Sequence, residues 1–327
     1  MTTYIIRRIL YAIPILIGVN TFSFVLFFYV NTPDHMARAH LGDKRVTEEQ
    51  IARWKRERNY HLPYFYNSGE DLSLVGGVTE TIFWQKSVRF LTFQFGRSDD
   101  GRNIGNEILK RVGPSLAITV PTFVVGVLIN ITVAMMIAFY RGTYLDFSGV
   151  VGCVILMSIS VLFYVIGGQW LFSKTLRLVP ISGYDTGFYA TKFVVLPVVI
   201  GILGGMGTGV RLNRTLFLEE IGRDYVRTAR AKGLPESLVL FKHTLKNAMI
   251  PILTAVVVSI PFLFIGSLVL ESFFSIPGMG SFTLEAIQRQ DFAIVQAMVF
   301  LGSVIYLTGL ILTDISYTLV DPRIQLS

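Results

Sequence analysis

Few residues in this chain could carry out chemistry. The four histidines, His35, His40, His61 and His243, all fall outside the long apolar runs, and the one cysteine, Cys153, falls inside one. That leaves no cysteine pair for a disulfide and no Cys/His spacing for a metal site. No Gly-Lys dipeptide occurs, so there is no phosphate-binding loop of the P-loop type. One acid, Asp314, lies clearly within an apolar run, near its end. An acid in that setting is a candidate functional group by default, and pairing with a neighbouring helix is the plainer reading. The sequence therefore offers no catalytic set, no metal set and no cofactor site. Its substrate-contacting residues cannot be picked out. What it does concentrate is charge: residues 211–247 hold eight Lys and Arg against four Asp and Glu.

That polar stretch reads as two short helices. The first runs through Asp224, Tyr225, Val226, Arg227, Thr228, Ala229, Arg230, Ala231 and Lys232. Gly233 ends it, since glycine accepts the left-handed conformation of a helix end. Leu234-Pro235-Glu236 starts the second, with proline in its first turn and an acid by the positive helix end. Leu238, Phe241 and Leu245 fall at helical spacing and predict its apolar face. Arg223, Arg227 and Arg230 share a face of the first helix, and Glu219 precedes Arg223 by four residues in the favourable order. Two readings stand at this point: a solvated face lying on anionic lipid, or a compact knob that docks a soluble partner.

The elements that position the knob are apolar. The 327 residues are 52% hydrophobic and 16% charged, with a mean hydropathy of +0.57, less charge than a soluble domain carries. Charge is absent from 9–33, 112–140, 147–173, 193–210, 247–270 and 292–313. Each run is about the length a bilayer crossing needs, or longer. The reading is an all-α integral membrane protein with six transmembrane helices. The net charge of +7 is explained by Lys and Arg flanking spans and calls for no nucleic acid; membrane lipid is the expected surround.

Taken in order, residues 1–30 are a basic lead, Arg7-Arg8, and the first span, which is too long for a signal-peptide core. Residues 31–111 are a long polar excursion with 13 Lys and Arg against 11 acids, long enough to escape the positive-inside rule. Thr47-Glu-Glu-Gln50 is a capping-box pattern and predicts a helix over about 48–58. The aromatic run 79–95 is expected along the membrane interface. Residues 112–320 form a five-span core containing the 211–247 loop, and 321–327 a short tail. Both termini are expected in the cytoplasm. Gly201, Gly204, Gly205, Gly207 and Gly209 in the fourth span predict close helix approach.

Four stretches together carry a resemblance. Asp224-Tyr-Val-Arg-Thr-Ala-Arg-Ala-Lys-Gly233 resembles the cytoplasmic loop of bacterial ABC-importer permeases of the dipeptide and oligopeptide class. Tyr4-Ile-Ile-Arg-Arg-Ile-Leu10, Phe274-Ser-Ile-Pro-Gly-Met-Gly280 and Asp321-Pro-Arg323 are similar to that family's N-terminus, last outer loop and C-terminus, in the same order. The general loop motif is Glu-Ala-Ala, three residues, Gly. Here Arg227 and Thr228 replace its first two positions, Ala229 and Gly233 stand, and the motif's distal Leu-Pro sits later, as Ile250-Pro251.

The resemblance implies a type I importer transmembrane domain in the bacterial inner (plasma) membrane. It implies a second permease subunit, two ATP-binding cassette ATPases that hold the ATP and Mg this chain lacks, and an extracytoplasmic solute-binding protein. The loop from Asp224 to Gly233 would be the coupling helix. Ala229 and Gly233 would set its geometry, and Asp224, Arg227, Arg230 and Lys232 would make polar contacts. Di- or oligopeptides are the implied cargo, with nickel or oligosaccharides as the alternative. A stand-alone carrier or channel, or a membrane enzyme, would need intramembrane charges or a catalytic set that the sequence does not supply.

Overall fold

The protein is described here from a computed structural model covering residues 2–42, 46–68, 74–185 and 187–320. It is all-helical: 79% of it is helix, and the described residues hold no strand beyond one isolated bridge, Arg97 with Asn103. Asp321-Pro-Arg323 and residues 69–73 of the polar excursion lie outside the described residues.

Among the described residues, five helical stretches are long and apolar enough to cross a membrane: Ile6–Val30, Ile104–Phe139, Ala190–Ile221, Glu236–Phe273 and Phe292–Ile315. The third expected span, over the uncharged run 147–173, is not one straight helix. Tyr144–Ser158 and Val161–Thr175 meet at a bend of 88°. Ile159 is extended, and the Ser160 hydroxyl caps the second half by accepting from the Leu162 N–H. A serine that can cap restarts a helix in a new direction at little cost. The second span starts well before its uncharged run, as one helix from Ile104 to Phe139 with Pro114 and Pro121 inside it.

The chain forms two compact units. The first comprises residues 1–112 and 282–308. Its core gathers Phe24 and Phe28 from the first span, Met36 and Ala37 from Pro33–Leu41, Ile51 and Trp54 from Glu48–Glu57, and Tyr60 and Ile82. The polar excursion is thus a packed structure. The capping box forms as its spacing predicts, with the Thr47 hydroxyl on the Gln50 N–H and the Gln50 side chain on the Thr47 N–H. The aromatic run 79–95 folds partly inward: Ile82 and Phe90 are buried, while Leu91 and Phe93 stay exposed. Inside this unit the buried Asn20 amide donates to the Ser87 carbonyl (2.8 Å) and the buried Gln296 amide to the Ser87 hydroxyl (3.2 Å). These bonds tie two apolar helices to one turn and pair buried amide N–H groups that would be costly if left unpaired, while Asn20 Oδ1 is buried without a hydrogen bond among the described residues.

The second unit comprises 113–281 and 309–327. Its main packing is Tyr144–Ser158 against Ala190–Ile221, where Cys153, Val210 and Phe217 share a core with Ala134 and Ile252. The glycine-rich span makes this possible. A Cβ on Gly207 would stand 2.7 Å from the Cys153 carbonyl oxygen and 3.1 Å from the Met157 nitrogen. Close approach was the expectation for this cluster, and Gly201, Gly207 and Gly209 fulfil it, whereas Gly205 faces open space. Near the end of the same pair, the Arg214 guanidinium donates to Asp146 at 2.6 and 2.9 Å.

Candidate coupling site

The Ala190–Ile221 helix stops at Gly222, and Arg223, in extended conformation, leads into the Asp224–Ala231 helix. That helix closes as its sequence predicts. Gly233 takes φ +73°, its N–H reaches the Arg230 carbonyl (2.9 Å), and the Leu234 N–H reaches the Ala229 carbonyl (3.4 Å). This pair of bonds is a Schellman motif, which needs the left-handed residue where Gly233 stands. Pro235 then starts the next helix, Glu236–Leu238.

The second helix differs from its expected form. It is not a separate short element. It runs through a π-helical turn, Val239–Thr244, into Leu245–Ser259 and so into a membrane span. The face that packs is also another one: Val239, Leu240 and Thr244 are buried, whereas Leu238 and Phe241 are exposed. A π turn inserts an extra residue per turn, so a 3.6-residue count taken across it points to the wrong side.

The elbow is built in two layers. Val226, Ala229 and Val239 form a small buried core, flanked by Tyr225 and Leu234. Ala229, at 5% exposure, therefore acts inward, where its small volume lets the two arms of the elbow close. On the outer side Asp224, Arg227, Thr228, Arg230, Ala231, Lys232 and Gly233 are all exposed. Their pairings separate them. Arg230 is held by Glu236, which keeps its guanidinium above even its usual range. The Tyr225 hydroxyl donates to Glu220, and burial first, then that bond, pushes the phenol up. Arg223 pairs with Glu219 at 3.2 Å. Asp224 and Arg227 share only a loose contact of 3.6 Å, their side chains 94% and 75% exposed. Such an exposed pair contributes little to stability, which leaves both groups able to meet another surface.

A second arrangement escaped the sequence reading. Asp314 is not the only acid in an apolar helix. Glu271, just past the uncharged run 247–270, lies in the short helix Leu268–Phe273 at the end of the Glu236–Phe273 span and is 0% exposed. Its carboxylate accepts from the Ser115 hydroxyl (2.8 Å), the Ser267 N–H (3.1 Å) and the Ser281 N–H (3.0 Å). The Ser115 oxygen in turn accepts from the Met279 N–H at 2.7 Å. The Pro-Gly turn of Phe274–Gly280 wraps this carboxylate so closely that a Cβ on Gly278 would fall 2.3 Å from it. The only sequence signal was the glycine spacing around Pro277, which says that something must approach but not what.

An all-helical membrane unit with a polar elbow between two spans defines a class of transport subunit. The chain belongs to the family of binding-protein-dependent transport system inner membrane components, whose model matches residues 130–326. It is a multi-pass inner-membrane permease component with the type I fold. It is 28% identical, over 100% of its length and 99% of the relative's, to the dipeptide transport system permease protein DppB of Bacillus subtilis. It is 27% identical to the oligopeptide transport system permease protein AppB of the same organism, covering 99% of this chain and all of AppB. A DppB of Alkalihalophilus pseudofirmus shares 26% identity over 99% of this chain and 100% of its own.

Proposed function

We propose that this chain is one of two permease subunits of an ATP-driven importer and that its cargo is di- or oligopeptide. The observation that carries the reading is the elbow: an internally packed knob whose end is fixed by Gly233 and whose outer face leaves Asp224 and Arg227 only loosely paired. In this reading the Asp224–Gly233 segment sits in a groove on an ATPase. ATP binding on that partner biases the bundle between two packings, and the second permease completes the path. The helical path from Glu236 to Ser259 supports the mechanism, because a push at the elbow would be carried directly into a span. The full-length peptide permeases it resembles support the cargo class; nickel or oligosaccharide is the alternative. The 31–111 segment is proposed as the extracytoplasmic part, where a solute-binding protein would deliver cargo.

The test is affinity purification of the tagged chain from gently solubilised native membranes. Two P-loop ATPases and a second permease are the expected companions. Recovery of the chain alone, together with solute movement by it in liposomes lacking any ATPase, would replace this reading with a stand-alone carrier.

A further inference from the structure

The first unit contains a polar cavity that the transport reading does not use. It measures about 300 Å³ and is lined by, among others, Glu57, Arg58, Tyr60, Lys86, Arg97 and Asp99. The acids around it are already satisfied. Arg58 Nε lies 2.6 Å from one Asp99 oxygen, His40 Nδ1 3.6 Å from the other, and Glu57 is 3.7 Å from the far side of Arg58. Asp291, which faces the same group from its own helix start, accepts from the Asp99 and Ile294 N–H groups at 2.9 and 3.2 Å.

Three donors are left over. Tyr60 is only 5% exposed, lines the cavity, and its hydroxyl has no hydrogen bond among the described residues. A phenol on a cavity wall can donate to what enters it. Lys86 lies over the Tyr60 ring, 5.0 Å from its centre, with no ion pair among the described residues. Arg97 is exposed and likewise has no ion pair among the described residues. The charged lining, Arg58, Lys86 and Arg97 against Glu57 and Asp99, sums to one net positive charge. A space of this size is at the lower end for small-molecule sites.

We propose that this cavity binds a small monoanionic carboxylate, with Lys86 and Arg97 supplying the charge and the Tyr60 hydroxyl a hydrogen bond. Charge-assisted donors of this kind prefer a carboxylate over a neutral acceptor. Burial holds the Lys86 ammonium below its usual range, against the opposing pull of Asp99, and it pushes the Tyr60 phenol up. An arriving anion would draw the lysine back toward its usual range, and the protonated phenol would be ready to donate. The proposal stands on the first unit alone and does not depend on the importer reading.

The probe is N-acetylglycine, with N-acetylglycinamide as the matched molecule lacking the carboxylate. Equilibrium binding of each, radiolabelled, to the full-length chain in detergent should show saturable N-acetylglycine binding and none of the amide. Arg97→Gln, at an exposed site, should weaken binding about tenfold, the effect of losing one hydrogen bond to a charged group. In parallel, N-acetylglycine should slow acetylation of Lys86 several-fold and leave exposed Lys110 unchanged. No saturable binding, equal binding of the amide, or unchanged affinity in Arg97→Gln would overturn the site. Shielding of Lys86 only by an added binding protein would also overturn it, since the occupant would then be macromolecular.

Discussion

Two residues show how little side-chain chemistry this chain needs and how strictly it places what it has. At Gly233 space is not the constraint, for a Cβ there would meet nothing within 4 Å. The constraint is φ +73°, which costs a β-branched residue roughly 1–2 kcal/mol. Gly233→Val should therefore cut uptake severely while membrane insertion and level stay normal. Gly233→Asn, which tolerates the left-handed region, should keep most of it. Equal uptake by both variants in whole cells would sink the argument from conformation. At Glu271 the reverse holds: conformation is ordinary and surroundings are everything. Gln supplies one acceptor oxygen for three donors, so Glu271→Gln leaves at least one buried donor unpaired, at about 1–3 kcal/mol. Glu271→Ala leaves all three. The melting temperature in detergent should fall for Gln and fall further for Ala; an Ala variant that melts with the wild type would show the donors are satisfied some other way. The Gly233 turn was legible in the sequence because its partners lie within five residues. Glu271 was not, because Ser115 stands 156 residues away and two further donors are backbone groups, which carry no signature.

Among elements, the uncharged runs located the long helices well, because a bilayer crossing is a matter of length and composition. Direction inside a run was another matter. Nothing in Ser158-Ile159-Ser160 marks an 88° bend, since neither proline nor glycine is present and serine is common in straight helices. The π turn at Val239–Thr244 likewise leaves no trace in spacing, and it moved the buried face from Leu238 and Phe241 to Val239 and Leu240. The glycine cluster could be read as close approach but not sorted into contacting and free positions. The structure sorts it. Gly207 faces the backbone of the Tyr144–Ser158 helix, and Gly205 faces nothing within 4 Å. Gly207→Ala must push that helix away, an overpacking cost of about 1–3 kcal/mol. Gly205→Ala should be neutral or slightly stabilising, since alanine is the better helix former. Thermal unfolding of the two variants side by side checks this, and a Gly207→Ala protein as stable as Gly205→Ala would contradict the packing.

For the whole molecule the informative quantity is the surface left over. Only 17% of the apolar window in Ile6–Val30 and in Glu236–Phe273 is buried within the chain, against 39% in Phe292–Ile315. Lipid can cover such faces, but lipid does not explain the cavity against Thr119, Thr122, Gly201 and Gly204. Its volume is about 410 Å³, and the Thr122 hydroxyl beside it is buried without a hydrogen bond. A second permease would cover these faces with protein, and binding to the folded state alone raises apparent stability. The chain co-expressed with its proposed partner permease should therefore melt several degrees higher in the same detergent than the chain purified alone. Thr122→Val should lower the melting temperature of neither form, because it removes an unsatisfied hydroxyl without changing shape. Identical melting with and without the partner would mean that detergent or lipid already satisfies these faces. The two-permease arrangement would then lose its physical support, while the elbow and its Gly233 turn would stand unchanged.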